Sequence, residues 1–566
     1  MRVLCLGLPF FRHHQVLAQY RGSHEIRTLG TEGAVDYLFD PLQDKWLGIL
    51  DRIGGEWKPD LALFWFPEND PPPLGIEDSP IPTVAMAGDW NMFYPCLAVN
   101  LGRYDLVLSD KKGVDVLRGN GITPHHLFPL YAHDPRHHRR YGAEKDIDIL
   151  YVGSLNLAHY RKRGAYLERI AKMSDRYRVI LANGVFDEDY GRLLDRARIV
   201  FNNSVRGEAN LRLFETMACG SLAFLEDTNY EVRDLFEDGR DVVLYSDEDL
   251  EERLTYYLEN PDAASAIVDT ALSRISRFAP EQRIDRIINW ASAQSGSGRP
   301  FRNLPRSEKV YQTALQYAST LRKSYWPLKT QLMGEPARIA PEDPRTWTLV
   351  AKSLLFPPPE IIDPKRVSLA LNMTQRAHKL SPNSAPYALN AATAAEWLAS
   401  DAEPYLRATL AAGSLEGECE LLGWFAFETW MRWLHALPLH QTKLSILHAE
   451  AHARLGHIER ARGNTDLAVE HFAQTLELDP ENTTVSRPLA EAYWEAGRQE
   501  EALRVLEVCR KHFPFTLEIR ERLASWYAAC HMYQEAEDAA RQAGLLFETL
   551  QRSKASVLPE TLAAQG

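Results

Sequence analysis

Cysteine is scarce and scattered in this 566-residue chain. Cys5, Cys96, Cys219, Cys419, Cys509 and Cys530 have neither the paired spacing of a zinc site nor the density of a disulfide framework, so a reducing, cytoplasmic setting is expected. In that setting the Asn-X-Ser/Thr triplets at Asn202, Asn372 and Asn482 have no meaning as glycan acceptors. Long apolar runs are missing as well. None approaches the ~20 residues that cross a bilayer, and the first residues read as a strand rather than a signal peptide. Positive charge is in short supply, because 64 Lys and Arg face 77 Asp and Glu for a net charge of −13, which argues against a nucleic-acid partner. What remains is a chain too long for one core.

The most informative segment runs Arg206-Gly-Glu-Ala-Asn-Leu-Arg-Leu-Phe-Glu-Thr-Met-Ala-Cys-Gly-Ser221. Asn210 suits a helix cap, Leu211, Phe214 and Ala218 repeat at helical spacing, and Gly220 stops the run. Arg212, Glu215 and Thr216 then share the flanking face. A cation and the free N–H groups of a first turn attract phosphate, and a carboxylate one turn further along can accept hydrogen bonds from two sugar hydroxyls. The same pattern also describes an ordinary capped core helix.

Context favours the ligand reading. Apolar strand-like runs at Ile147–Val152, Val179–Ala182, Ile199–Phe201, Leu222–Leu225 and Val242–Tyr245 alternate with helical stretches, as a parallel doubly wound sheet requires. Ligands of such sheets sit at the carboxyl ends of the strands, which nominates Gly153 and Ser154, Asn183 and Gly184, and the loop Asn202–Asn210. A first set of runs at Val3–Leu6, Ile26–Leu29, Leu61–Trp65, Thr83–Met86, Leu106–Leu108 and Leu127–Leu130 repeats the architecture.

The segment Asn210-Leu-Arg-Leu-Phe-Glu-Thr-Met-Ala-Cys-Gly-Ser221, followed by Glu226-Asp-Thr, resembles the Glu-Ala-Met-Ala-Cys-Gly stretch in the donor domain of GT-B glycosyltransferases. The subgroup it is most similar to is the retaining enzymes that include the CgeB-like spore-maturation proteins. The resemblance spans roughly residues 1 to 292. It implies two Rossmann-like domains facing a cleft, with donor ribose on Glu215, diphosphate on the backbone of Asn210 and Leu211, and basic residues after the first strand, His159-Tyr-Arg161-Lys162-Arg163, neutralising phosphate. It also implies metal-independent transfer with retention from a nucleoside diphosphate sugar, with no cofactor and no bound metal. In many retaining relatives an acidic residue precedes the ribose glutamate by eight positions. Here Gly207 stands there, and Glu208 lies beside it.

On the first domain, Asp89 follows the fourth run and reads either as the group that orients an acceptor hydroxyl or as a turn or cap. Gly7 allows close approach of backbone to acceptor or phosphate. Asp110 and Lys111 read as cleft-floor residues or as solvated loop charges. The basic stretch His133-Asp-Pro-Arg-His-His-Arg-Arg140 suggests a metal site or a solvated hinge, and the hinge is preferred because no second ligand cluster pairs with it.

After Trp290 the stretch Ser292–Pro300 has linker composition. Beyond it a 34-residue period appears: Leu455, Leu489 and Leu523; Gly456, Ala490 and Ala524; Ala468, Ala502 and Ala536; with Pro480 and Pro514 closing units. Weaker units precede it around Ala370 to Pro382 and Tyr387 to Ala412. The aromatic stretch Leu421–Leu437 reads as packing or as a groove lining. The expected organisation is therefore an acceptor domain over 1–140 with 278–292 crossing back, a donor domain over 141–277, a linker and connecting helix over 293–340, a tetratricopeptide solenoid over 341–550 and a tail over 551–566. In architecture it resembles the O-GlcNAc transferases, which join the same two parts in the opposite order. A solenoid face suits a protein partner, so a protein acceptor is expected. The alternative is a catalytically weak scaffold that binds nucleotide sugar and a partner protein.

Overall fold

The computed structural model describes the chain apart from residues 7–21, 68–69, 89, 91–96, 98, 119–121, 127–132, 156–160, 206, 230, 295–297, 319, 321, 356–362, 418–439, 481, 483 and 558–566, and apart from the side chains of 161–162, 440–442 and 554–557. The chain forms two compact units, each discontinuous in sequence: residues 1–128 with 287–492, and residues 129–286 with 493–566.

In the first unit seven parallel strands, β1 (Arg2–Leu6), β2 (Glu25–Gly30), β3 (Tyr37–Leu38), β4 (Leu61–Trp65), β5 (Thr83–Ala87), β6 (Leu106–Ser109) and β7 (Pro124–His126), line up in the order β3-β2-β1-β4-β5-β6-β7. All five residues of β4 are buried, as a central parallel strand covered on both faces requires. Helix α1 (Trp46–Gly54) buries Trp46, Ile49 and Ile53, and the Trp46 ring lies 5.7 Å from that of Phe64 on β4. β7 lies upstream of the run expected at Leu127–Leu130, which falls outside the described residues. Its partner in register is β6, with Val107 opposite Pro124.

Residues after Arg299 are built into this unit and do not merely connect. Arg299 donates to Asp105 and to the carbonyls of Glu77, Ser79 and Ile81. Tyr317 and Tyr325 stack with ring centres 5.8 Å apart inside the core and donate to the carbonyls of Pro72 and Pro71. After two short helices at Trp326–Leu332 and Glu335–Ile339 come those at Pro344–Leu355, Pro364–Leu380, Ala385–Trp397, Glu403–Ala411, His440–Ala461 and Thr465–Leu478. The small residue of the repeat has a steric cause: a Cβ on Gly456 would stand 2.6 Å from the Phe472 ring of the next helix.

In the second unit β8 (Ile147–Val152), β9 (Val179–Ala182), β10 (Ala197–Phe201), β11 (Leu222–Glu226) and β12 (Val243–Tyr245) form a parallel sheet in the order β12-β11-β10-β8-β9. Three helices matter for the site: α3 (Arg161–Lys172), α4 (Asp187–Asp195) and α5 (Leu211–Ala218). The strand order reverses between β8 and β10, and the loops leaving their carboxyl ends flank that switch point. Helices at Gln499–His512, Leu517–Ala529 and Tyr533–Val557 belong to this unit as well. Leu546 joins the core that holds Ile149, Leu167 and Leu181, and the Ser553 hydroxyl accepts the Leu181 N–H of edge strand β9 at 2.8 Å. Two Rossmann-like α/β domains and an all-helical region are thus present, as the sequence pattern predicts.

Candidate functional site

Helix α5 forms because Leu213, Phe214 and Met217 share one buried face, and it stops at Gly220, whose φ of +70° suits glycine. Asn210 occupies the N-cap position with extended dihedrals, yet its side chain does not cap the helix. The amide pairs instead with that of Asn202 at the end of β10, in two reciprocal hydrogen bonds of 2.8 and 3.0 Å. This corrects the local expectation: a complementary amide across the loop outcompetes the backbone donor. Among the described residues the first turn of α5 therefore has no side-chain cap, and the helix opens from the loop that leaves β10 beside the switch point.

Arg212 lies over Gly153. A Cβ at Gly153 would stand 2.2 Å from Arg212 Nη2 and 2.9 Å from the Tyr151 hydroxyl, so only glycine lets the guanidinium lie down there. Arg212 Nη1 donates to Asn202 Oδ1 at 2.9 Å, and its Cζ sits 4.8 Å from the Tyr151 ring centre. The buried Arg212 Nε has no hydrogen-bond partner among the described residues. Arg163, on α3, is buried and donates to the Tyr151 hydroxyl at 3.0 Å and to the Asn203 carbonyl at 2.8 Å. Tyr151 in turn donates to the Ser154 carbonyl. Two guanidinium groups thus flank one tyrosine at the end of β8. Such a cluster beside an uncapped helix start is a cradle for a di-anion.

One turn along α5 stands Glu215, 9% exposed. The Tyr190 hydroxyl, from α4, donates to its Oε2 at 2.8 Å. His138 Nε2 lies 3.7 Å from its Oε1. His138 Nδ1 accepts the Asp134 N–H at 3.0 Å, which assigns the ring proton to Nε2, the atom aimed at Glu215. Burial first, and the Glu215 carboxylate second, hold the Tyr190 hydroxyl well above its ordinary pKa, so it remains a donor. Neither holder was identified from sequence. The His133–Arg140 stretch is correspondingly no solvated hinge: His133, Asp134 and His138 are buried, and burial pushes the His133 imidazole down to about 4.

Other nominated residues lie elsewhere. Glu208 is buried and its Oε1 accepts the Val205 N–H at 3.3 Å, which turns it into the loop beside Glu226. Glu226, at the end of β11, accepts from Ser204 N at 3.0 Å and Asn229 Nδ2 at 3.2 Å. Its Oε2 is buried with no partner among the described residues, and burial raises the carboxyl to about 7. Asn183 and Gly184 follow β9 and are exposed, as is Ser154 after β8. In the first unit, Asp110 is neither solvated nor a cleft-floor charge: buried, it accepts the Trp90 indole N–H at 2.9 Å and the Gly113 N–H at 2.7 Å, capping α2 (Lys111–Arg118). Gly7 and Asp89 lie outside the described residues, and so do the side chains of Arg161 and Lys162.

Residues 141–289 match the family described as glycosyl transferase-like, and residues 459–524 match the tetratricopeptide repeat. The first match contains β8 to β12 and every residue of the Gly153–Arg212–Glu215 cluster. No curated protein matches the sequence. Among solved structures, HepE of Anabaena in complex with UDP and glucose is similar over 52% of this chain and 100% of its own, at 14% identity and a TM-score of 0.38. The pneumococcal O-GlcNAc transferase GtfA in complex with UDP and GlcNAc is similar over 41% of this chain and 56% of its own, at 13% identity and a TM-score of 0.31. A glycosyltransferase from Rickettsia africae is similar over 51% and 97%, at 11% identity and a TM-score of 0.37. Among the described residues no helix is long and apolar enough to cross a membrane.

Proposed function

We propose that the chain is a glycosyltransferase that takes its sugar from a nucleoside diphosphate sugar held at the β8/β10 switch point. The observation that carries the reading is the convergence there of an uncapped helix start, the Arg212 guanidinium and a carboxylate one turn further along α5. The match of residues 141–289 to the glycosyl transferase-like family supports the reaction class.

In this reading the N–H groups of Leu211 and Arg212 and the Arg212 side chain accept the diphosphate, with Arg163 reinforcing the positive charge through Tyr151. Glu215 takes the ribose hydroxyls through its carboxylate. When the glycosidic bond to the diphosphate breaks, the departing oxygen gains negative charge, and these fixed donors stabilise it without rearranging. Arg161 and Lys162 remain proposed partners of that leaving group, and Asp89 the residue that orients the acceptor hydroxyl. The reaction retains configuration, needs no metal and proceeds in the cytoplasm. The acceptor is a protein brought close by the repeats, which raises its effective concentration.

Calorimetry of Arg212→Ala and Glu215→Gln against UDP-, GDP- and ADP-sugars tests this. The parent binds one donor and releases its nucleotide; the variants stay folded and lose at least tenfold in affinity, about 1.4 kcal/mol. Unaltered binding in both variants overturns the site. A parent that binds a donor but never releases nucleotide favours the scaffold reading, which Gly207 and the inward turn of Glu208 support.

A further inference from the structure

The carboxylate of Glu215 is approached from two directions by residues far from it in sequence. Tyr190 approaches Oε2 from α4 and His138 approaches Oε1 from the segment that precedes β8. The two rings also meet edge-on, 5.6 Å apart with planes at 88°, so each fixes the other. The segment itself is strapped to α4. Asp195 accepts the N–H groups of Tyr141 and Ala143 at 2.9 and 3.0 Å, and the Tyr141 hydroxyl donates to the His137 carbonyl at 2.9 Å. Arg192 stacks on the Tyr141 ring at 4.6 Å. Gly191, next to Tyr190, lets the His137 carbonyl come so near that a Cβ there would stand 1.8 Å from it.

The two contacts are unequal. Tyr190 makes a full hydrogen bond, whereas His138 Nε2 stays 3.7 Å from Oε1, beyond hydrogen-bond range. Oε2 is therefore committed to the protein, and Oε1 keeps its accepting capacity in a place where its orientation is already fixed. A carboxylate that must choose between hydroxyl partners gains selectivity when its geometry is set before the ligand arrives.

We propose that His138 and Tyr190 are positioning residues that hold Glu215 with Oε1 as its accepting atom and thereby make the site prefer ribonucleotides over their 2′-deoxy counterparts. This inference rests on the reading of Glu215 as the ribose ligand. A site built to accept a hydroxyl rejects the analogue that lacks it, because Oε1 of the buried carboxylate then goes without a donor.

The test measures binding of UDP, GDP and ADP, and of the 2′-deoxy form of whichever binds tightest, to the full chain. The parent binds the ribonucleotide about tenfold or more tighter than the deoxy form. Tyr190→Phe, which removes a single oxygen, and His138→Ala keep the deoxy affinity within about twofold and lose most of the preference. His138→Gln, which restores an N–H near the Nε2 position, recovers it. A merely structural role would instead weaken both nucleotides alike and would not be rescued by Gln. Should both single variants keep the tenfold preference while Glu215→Gln abolishes it, the positioning inference falls and the Glu215 reading stands. Should Glu215→Gln keep the preference too, or should the parent bind none of the three nucleotides, the ribose reading falls and takes this inference with it.

Discussion

Gly153 makes room for the Arg212 guanidinium: a Cβ added at Gly153 would stand 2.2 Å from Nη2. The obstacle is the far end of a flexible side chain, so the fold can yield by swinging Arg212 aside. Gly153 itself sits at φ +157°, which L side chains rarely adopt, so Gly153→Ala should cost about 1–3 kcal/mol of stability in backbone strain while displacing the cation from the switch point. The expected outcome is a cooperative melt at a lowered temperature with nucleotide affinity reduced about tenfold, read by calorimetry below that melt. Parent-like affinity in a well-folded Gly153→Ala protein would show that Arg212 does not need this pose.

Gly191 makes the opposite case. There the added Cβ would meet the His137 carbonyl at 1.8 Å, and a backbone atom pinned by Tyr141 cannot step aside. Gly191→Ala should lower stability by about 1–3 kcal/mol and detach the segment that carries His138. Thermal melting and proteolysis between residues 133 and 143 should both report it.

The carboxyl of Glu226 is raised from 4.5 to about 7, chiefly by burial. A raised acid binds its proton more tightly in the folded state, so it penalises folding fully above pH 7, and the penalty disappears as pH falls toward 4.5. The magnitude is on the order of 3 kcal/mol. His133, lowered to about 4, works in the other direction, because the unfolded chain takes up its proton first between about 6.5 and 4. The slope of the parent alone therefore mixes two signs. The informative quantity is the difference: Glu226→Gln should be more stable than the parent at pH 8, with the gain vanishing near pH 4.5. An equal gain at both pH values would mean that Glu226 is ionised no differently in the folded state.

Much of this architecture was legible in the sequence because its causes are local. Buried parallel strands are apolar on both faces, so β4 and β8 stand out as runs, and α5 announces itself by Leu211, Phe214, Ala218 and a glycine stop, although Leu213 and Met217 rather than Leu211 join Phe214 in the buried face. The misses have non-local causes. Asn210 looked like a cap, but Asn202 claimed its amide. The short β3 has no periodicity to detect. Ser292–Pro300 has linker composition, yet Arg299, Tyr317 and Tyr325 tie the chain beyond it into the first core; their pairing with Asp105, Pro72 and Pro71 exists only once the chain has folded. His138 and Tyr190 were missed for the same reason, since nothing in either local segment signals a carboxylate on α5.

Glu168 on α3 accepts from Arg510 and Arg520, each at 2.8 Å, and Arg520 is 2% exposed. Thr549 donates to Ser174, and Ser553 satisfies the Leu181 N–H on the outer edge of β9. An edge strand without such cover is an open template for pairing with other chains. The final helix therefore completes the second α/β domain. Glu168→Ala strands the buried Arg520 charge and should cost about 3–5 kcal/mol, against roughly 2–5 kcal/mol for the cavity left by Leu546→Ala. Removing residues 533–566 should go further and yield aggregated protein, with hydrogen exchange in the Glu168→Ala variant accelerated at β9 and α3. A soluble, monomeric truncation with a parent-like melting curve would refute this account of the second domain.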